Sequence, residues 1–147
     1  MLTVTPVNED TAPRLRLAIA RIARQLRQNV DAPSDLSTTL VSALATIDRA
    51  GPLTLGELAA AERVQPPSMT RIVTKLEGRG LVSRSIDRDD RRVARVEITA
   101  DGRRLLQRSR TQKTALLAQR LRTFTPEERA VLEAALPLLE RLAEERR

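Results

Sequence analysis

Between Thr54 and Thr99 the spacing of the apolar residues changes from that of a helix to that of a strand. Two segments, which begin at Thr54 and at Pro66, place apolar residues on one helical face. Two later segments, 81–86 and 93–99, have strand character, and the second alternates apolar and charged residues. A helix, a tight turn, a second helix and a hairpin in this order restrict the chain to few folds. We expect a mainly α fold that contains a helix-turn-helix and a two-stranded β-wing.

Local start and stop signals support these elements. Thr54 and Glu57 have the spacing of a capping box, and the proline pair that begins at Pro66 suits the first turn of a helix. Gly78 and Gly80 are typical of the end of that second helix.

The rest of the chain predicts four flanking helices. Their apolar residues recur at helical spacing, and Thr99 and Thr125 are suitable N-caps. Asp31, Ala32 and Pro33 break the first of them. The predicted ranges are 13–30, from Ser34 or Asp35 to Gly51, about 100–123, and 126 to about 145 with a kink at Pro137.

The net charge of +7 is concentrated in the middle of the chain. Residues 63–110 carry a net charge of +7, whereas residues 1–62 carry −1 and residues 111–147 carry +1. Such a concentration is typical of a surface that binds a polyanion such as DNA. On charge alone, a solvated basic face without a partner is an equal alternative.

The sequence contains neither Cys nor His. Disulfides, thiolate metal sites and cysteine redox switches are therefore excluded, and the commonest general base and metal ligand are missing. A candidate pair of catalytic carboxylates, Asp89 and Asp90, lies on an exposed hairpin tip that offers no enclosed pocket. We expect no enzyme activity, no cofactor and no metal.

The second helix of the central pair separates an apolar face from a basic one. Met69, Ile72, Val73 and Leu76 form its apolar stripe. The opposite face is small, polar and basic, which suits a helix that enters the major groove of duplex DNA. An ordinary surface helix would mix charges of both signs. The residues that we expect to contact DNA here are Gln65, Pro67, Ser68, Thr70, Arg71, Thr74 and Lys75.

The charged hairpin tip 87–92 is a candidate wing. Its arginines are expected to reach the narrow minor groove, where the electrostatic potential is strongly negative. A neighbouring aspartate can orient such a guanidinium through two parallel hydrogen bonds. A solvated turn with mutually neutralising charges is the alternative. The DNA-binding residues assigned to this wing and its strand are Arg84, Arg88, Asp90, Arg91 and Arg92.

The last helix is apolar over nearly half of its circumference. A helix of that kind needs cover from more than one side, and a second copy of the chain is the economical source of it. A helix pair within one monomer is the alternative. The side chains that we expect at a homodimer interface are Leu15, Ile19, Ile22, Val131, Leu138, Leu139 and Leu142.

The stretch from Leu53 to Leu106 resembles the multiple-antibiotic-resistance regulator (MarR) family. The motifs that carry the resemblance are Leu55–Ala59, Pro67–Val73, Leu76–Arg84 and Asp90–Thr99, followed by Gly102. The last run has the pattern of that family's wing, an Asp with an Arg two positions later and then an aliphatic–Thr pair. The order of the flanking helices also fits the family.

The resemblance implies a triangular dimer whose N- and C-terminal helices form the interface. It implies binding to pseudo-palindromic operators, usually as a repressor, with helix 66–79 in the major groove. Arg92 would be the minor-groove arginine and Asp90 the acid that braces it. Many members release DNA when a small, often aromatic and anionic effector binds between the dimer helices and the winged module. The members that sense oxidants through Cys are excluded as models, because this chain has no Cys.

We therefore expect a sequence-specific regulator that binds duplex DNA as a homodimer, with a non-specific architectural DNA-binding protein as the alternative. The expected organisation is a helical dimerisation region of residues 1–33 and 100–147 and a DNA-binding region of residues 34–99. Residues 1–10 lack a signal-peptide pattern, and no apolar run approaches the length of ~20 residues that spans a membrane. A cytoplasmic location is expected.

Overall fold

The elements follow the predicted order with one additional strand. The computed structural model of the protein describes residues 7–28 and 36–144. Within these residues the elements are α1 (Thr11–Gln28), α2 (Thr38–Ala50), β1 (Leu53–Thr54), α3 (Leu55–Glu62), α4 (Pro66–Gly78), β2 (Val82–Ile86), β3 (Ala94–Ile98), α5 (Ala100–Leu121) and α6 (Pro126–Ala143). The expectation of a mainly α winged helix-turn-helix is confirmed.

Side-chain caps fix where the helices begin. The Thr54 hydroxyl accepts from the Glu57 amide at 3.1 Å, and the Glu57 carboxylate accepts from the Thr54 amide at 3.0 Å. This reciprocal pair is the predicted capping box of α3. Thr125 forms the same arrangement at α6, and Thr99 caps α5. These caps satisfy amides that the first helical turn leaves without partners.

The start of α2 differs from the prediction. Its N-cap is Ser37, whose hydroxyl accepts from the Leu40 amide at 3.4 Å. Leu36 consequently lies before the helix rather than in it, where it is buried. Ser34 and Asp35, the predicted caps, lie outside the described residues, as do Val30 and the predicted break at 31–33. At the other end of the chain, α6 continues through Pro137 to Ala143.

The wing belongs to a three-stranded antiparallel sheet with the order β1-β3-β2. In this sheet β3 pairs Val96 with Leu53 of β1 on one side and with Arg84 of β2 on the other. The prediction of a two-stranded sheet was incomplete because β1 has only two residues, too few to show an alternating pattern. Thr54 is both the last residue of β1 and the cap of α3, so the sheet is joined directly to the helix-turn-helix.

The apolar core is aliphatic and lies between Leu36 and Leu106. Helices α2, α3 and α4 pack against one another, and α2 also contacts β3 and α5. The largest fully buried side chains are Leu44, Ile47, Leu58, Met69, Val73, Leu76 and Val96. Burial of a side chain of this size contributes about 1.5–3 kcal/mol each, so this cluster is the main source of stability.

The first turns of α5 are part of the same packed unit. The Thr99 amide donates to the Leu81 carbonyl at 3.0 Å, and the Thr99 hydroxyl donates to the Gly80 carbonyl at 2.6 Å. Leu106 is buried in the core. Arg103 and Arg110 of α5 both lie near Asp48 of α2. The packed core therefore extends past residue 99, the predicted end of the DNA-binding region.

Helices α1 and α6 have no buried side chain in the single chain. Val131 is 70% exposed and Leu138 61% exposed. Leu15 is half-buried, and the other side chains predicted at the dimer interface, Ile19, Ile22, Leu139 and Leu142, are also exposed. Within the described residues, no helix has the length and apolar character needed to cross a membrane.

We expect the substitution Gly102→Ala to lower the free energy of unfolding by about 1–3 kcal/mol, the usual cost of forcing a methyl group into a packed site. A Cβ at this position would clash with the Leu81 carbonyl oxygen and lie 2.7 Å from Ile98 Cγ1. The carbonyl cannot retreat freely, because it accepts the Thr99 amide. Urea denaturation of the variant and of the wild type measures the difference.

Gly78→Ala is the matched control. A Cβ at Gly78, the last residue of α4, would meet no heavy atom within 4 Å. This substitution is expected to leave stability unchanged or to raise it by about 0.4–1 kcal/mol through the unfolded state. Equal stability losses for both variants would show that Gly102 is not required by close packing.

Candidate nucleic-acid interface

The rotation of α4 about its own axis is set by its buried stripe. Met69, Val73 and Leu76 are fully buried, and Ile72 is half-buried, as predicted. α4 follows α3 through a short turn in which Arg63 adopts a left-handed conformation with φ 54°. The face opposite the stripe must therefore point to solvent.

That outward face carries the predicted DNA-binding residues of α4. Arg71 and Lys75 are exposed and supply its positive charge. The Thr70 hydroxyl donates to the Pro66 carbonyl at 3.1 Å, and the Thr74 hydroxyl donates to the Thr70 carbonyl at 2.8 Å. Both hydroxyl oxygens can still accept a hydrogen bond. Pro67 is exposed, Ser68 is half-buried, and Gln65 is the exposed N-cap residue, whose side chain forms no capping bond.

Arg84 on β2 is turned towards α4. Its Nη2 donates to Thr74 Oγ1 at 3.3 Å, and its Nε lies 3.4 Å from Glu77 Oε2. Glu77 thus places one acidic group beside the basic face, and Arg84 balances its charge. The Arg84 guanidinium links β2 to α4, the helix whose outward face carries Arg71 and Lys75.

The wing tip is a tight turn organised by Asp87. The Asp87 amide donates to the Val93 carbonyl at 2.9 Å, which closes the hairpin. Asp87 Oδ1 accepts from the amides of Asp89 and Asp90 at 2.8 and 3.4 Å. This is the local side-chain-to-backbone arrangement by which aspartate stabilises turns. Arg88 and Arg91 are exposed on the tip.

Asp90 holds Arg92 through two parallel hydrogen bonds. Arg92 Nε donates to Asp90 Oδ1 at 3.1 Å, and Arg92 Nη2 donates to Asp90 Oδ2 at 3.3 Å. This is the bidentate geometry expected from the sequence. The Arg92 side chain is 91% exposed, so the pair orients the guanidinium without burying it. The hydrogen bonds from the Arg92 side chain and from its amide hold the pKa of Asp90 below its usual range.

A second ion-pair network lies at the base of the wing. Arg95 Nε donates to Asp87 Oδ2 at 2.6 Å, and Arg95 Nη1 lies 3.6 Å from Glu57 Oε2. The Arg95 hydrogen bond and the amide of Asp89 lower the pKa of Asp87, and the Asp87 carboxylate raises the pKa of Arg95. Both Asp87 and Arg95 are charged at neutral pH. Because the pKa of Asp87 is lowered, their ion pair persists into acid and is lost only when the pH falls through that lowered value.

The sequence patterns identified Glu57 only as part of a capping box, and they did not assign a role to Arg95 or indicate its ion pairs. The available signal was the hairpin register: Ile86 pairs with Ala94, which places Asp87 and Arg95 on diagonal positions where opposite charges attract. The link to Glu57 had no such signal, because it depends on the short strand β1, where Thr54 pairs with Arg95.

The described residues contain no group of three or more side chains that could hold a metal ion. The polar groups assembled here are guanidinium, ammonium, hydroxyl and amide donors on one surface. Such donors bind phosphate oxygens and the edges of bases.

Comparison with known proteins places this arrangement in a family. Residues 36–94 match the model of the MarR family. The chain is 39% identical over 135 residues to the uncharacterized HTH-type transcriptional regulator Mb0904 of Mycobacterium bovis, covering 91% of this chain and 93% of that protein.

Solved structures have the same fold. A putative transcriptional regulator from Pseudomonas aeruginosa superposes with a TM-score of 0.85 at 34% identity, over 96% of this chain and 100% of that one. A MepR variant from Staphylococcus aureus, solved bound to an oligodeoxyribonucleotide, has a TM-score of 0.69 at 18% identity over 90% of this chain and 97% of that one. The second likeness is one of fold alone. Since the Mycobacterium relative matches almost the whole chain, the protein belongs to the MarR family of helix-turn-helix transcriptional regulators, which bind DNA and are not enzymes.

Proposed function

We propose that the protein is a homodimeric repressor that binds a pseudo-palindromic operator, with α4 in the major groove and the wing in the adjacent minor groove. The observation that carries this proposal is the pairing of two basic features on one module. One is the outward face of α4, and the other is the exposed Arg92 held by Asp90. The MepR variant bound to an oligodeoxyribonucleotide, which shares the fold, supports a DNA-bound state of this kind.

Within the major groove, Arg71 and Lys75 are the residues best suited to contact guanine or phosphate. They are surrounded by polar or small apolar side chains, which are those of Gln65, Pro67, Ser68, Thr70 and Thr74. Arg84 is held by Thr74 and Glu77, so we assign it to supporting this face and to reaching the phosphate backbone beside it.

The wing supplies a contact of a different kind. A guanidinium in a narrow minor groove is attracted by the potential of the phosphates rather than by one base. The bidentate pair with Asp90 reduces the freedom that Arg92 loses on insertion. Arg88 and Arg91 flank it on the same tip.

The proposed dimerisation is supported by the uncovered apolar faces of α1 and α6. Six large apolar side chains of α6 and three of α1 are exposed in the single chain. Apolar surface of this extent marks an interaction site. A two-fold dimer through residues 1–33 and 100–147 would present two copies of the module of residues 34–99. Half-sites would then be centred about 10–10.5 bp apart.

Regulation by a small effector is the remaining part of the proposal. A cavity of about 220 Å³ lies between α1, α2 and α5 and is lined by Arg27, Leu36, Thr38, Val41, Ser42, Ala45, Ser109 and Lys113. It is smaller than the usual drug-sized pocket, and its two cations favour an anion. We propose a small aromatic carboxylate as the class of ligand.

Selection of duplex DNA from a random pool tests the proposed function. The purified protein is used at about 0.15 M salt, where counterion-driven binding is weakened. An enriched inverted repeat with the expected spacing supports the dimeric operator-binding protein. Retained binding without any enriched site would contradict it and favour the architectural alternative. Reporter transcription from a promoter that carries the enriched site then tests repression.

Arg71→Ala and Lys75→Ala are each expected to weaken binding to the enriched duplex by about 1–3 kcal/mol if the side chain reads a base. In that event the preference at one position of the site relaxes and the salt dependence is unchanged. A phosphate contact instead reduces the slope of log affinity against log salt by about one for each subunit of the dimer. Fluorescence anisotropy over a salt series, with single-base variants of the duplex, measures both.

Arg92→Ala is expected to reduce affinity for the enriched duplex by about tenfold, because one minor-groove contact per module is removed. Circular dichroism should show an unchanged fold, since the side chain is exposed. Arg14→Ala, which removes the same charge from exposed α1, is the control. Unchanged affinity for Arg92→Ala would refute the wing assignment.

Leu138→Lys is expected to shift the protein from a dimer to a monomer of 16.4 kDa in sedimentation velocity, because it places a charge in the proposed apolar interface. Glu133→Gln changes the net charge equally on the opposite side of α6 and should leave the dimer intact. A dimer that persists in Leu138→Lys would place the interface elsewhere.

Lys113→Ala tests the effector cavity. Benzoate should stabilise the wild-type protein in a thermal shift experiment and weaken its binding to the enriched duplex. Both effects should diminish in Lys113→Ala, since the cavity would lose one of its two cations. Absence of both effects in the wild type would argue against this class of effector.

A further inference from the structure

We propose that Arg95 is a positioning residue that sets the wing relative to the helix-turn-helix and thereby places Arg92. This inference deepens the proposed function, because it assumes that the wing binds DNA. Arg95 itself is not proposed to touch DNA. Its side chain is 35% exposed and is directed to two carboxylates of its own chain.

The wing tip has little apolar support. Residues 87–92 are all charged, and Ile86, which begins the turn, is 68% exposed. Across the hairpin Ala94 is exposed and Val93 is half-buried. Burial of apolar surface, which fixes α4, therefore contributes little here. The position of the tip must depend on its hydrogen bonds and ion pairs.

These polar contacts form a continuous series that starts at Arg95. Arg95 donates to one carboxylate oxygen of Asp87, and the other oxygen accepts the amides of Asp89 and Asp90. Asp90 in turn holds the Arg92 guanidinium at both of its carboxylate oxygens. A rotation of the Asp87 side chain would therefore disturb the turn that presents Arg92. Arg95 opposes that rotation.

The second arm of Arg95 reaches the helix-turn-helix. Glu57, 3.6 Å from Arg95 Nη1, is fixed at the start of α3 because the same carboxylate oxygen accepts the Thr54 amide. One guanidinium thus connects the first helix of the helix-turn-helix with the base of the wing. The two donors that it uses, Nε and Nη1, are held in fixed geometry by the planar group.

Lysine cannot reproduce this connection, although it carries the same charge. Its single ammonium group could contact Asp87 or Glu57, but it lacks the planar fork that holds both. Arg95→Lys therefore separates the positioning role from a general attraction between positive charge and DNA. It also leaves the net charge of the protein unchanged.

A double-mutant cycle on the duplex enriched by selection tests the proposal. The four proteins are the wild type, Arg95→Lys, Arg92→Ala and the double variant, with affinity measured by fluorescence anisotropy. Arg95→Lys should weaken binding by about threefold to tenfold in the wild-type background, within the loss expected for Arg92→Ala, and should have almost no effect once Arg92 is absent. Wild-type affinity for Arg95→Lys, or an equal loss in both backgrounds, would overturn the proposal.

Glu57→Gln tests the arm that reaches α3. Glutamine retains the capping interaction of this position but removes the ion pair with Arg95. A smaller loss of affinity, again dependent on Arg92, is expected. Glu97→Gln, which makes the same change at an exposed position of β3, is the matched control and should not depend on Arg92. If Glu57→Gln lowers the affinity for DNA equally with and without Arg92, the contact with α3 does not help to position Arg92.

A measurement without DNA separates this inference from the proposed function. Amide hydrogen exchange by NMR should accelerate at Asp89 and Asp90 in Arg95→Lys, while exchange at buried Val96 is unchanged. If Arg92→Ala binds DNA as the wild type does, the proposed wing contact fails, and hydrogen exchange alone decides whether Arg95 orders the tip. Unaltered exchange at both aspartates would overturn the positioning role.

Discussion

The orientation of α4 rests on a single constraint, the burial of Met69, Val73 and Leu76 in an aliphatic core. Each of these side chains contributes about 1.5–3 kcal/mol when buried, so a rotation of the helix that exposed the stripe would be strongly unfavourable. The basic face consequently points to solvent, and the contacts of Arg84 with Thr74 and Glu77 add polar support to it. The same core extends to Leu106 in the first turns of α5, so this helix is packed against the helix-turn-helix.

The wing is held by a different kind of interaction. Its strands are tied to the helix-turn-helix by two arginines, Arg84 to α4 and Arg95 to α3, and its tip is organised by aspartate hydrogen bonds. Such partly exposed ion pairs are individually weak and are screened by salt, whereas apolar packing is not. The two proposed DNA-binding features therefore depend on different interactions, and the wing is the one whose position small polar substitutions and ionic strength can change.

Most of the fold could be predicted because its signals are local. The Thr54–Glu57 capping box, the period of α4 and the alternation of β3 each depend on neighbouring residues, and each is found in the structure. The bidentate Asp90–Arg92 pair was also predictable, since the two residues are two positions apart. Strand β1 and the Glu57–Arg95 contact were not, because the first is too short to show a period and the second joins residues distant in sequence. The turn of Asp87 towards Arg95 likewise requires the hairpin register.

A footprint of the wild-type protein on a duplex that carries the selected site tests whether a dimer binds DNA through both α4 and the wing. Hydroxyl radicals report protection of the minor groove, and dimethyl sulfate reports guanine N7 in the major groove. Binding by a two-fold dimer predicts two major-groove tracts about one helical turn apart, each accompanied by a protected stretch of minor groove, in a two-fold symmetric pattern. Protection confined to one groove, or without two-fold symmetry, would contradict binding by a dimer that uses both α4 and the wing.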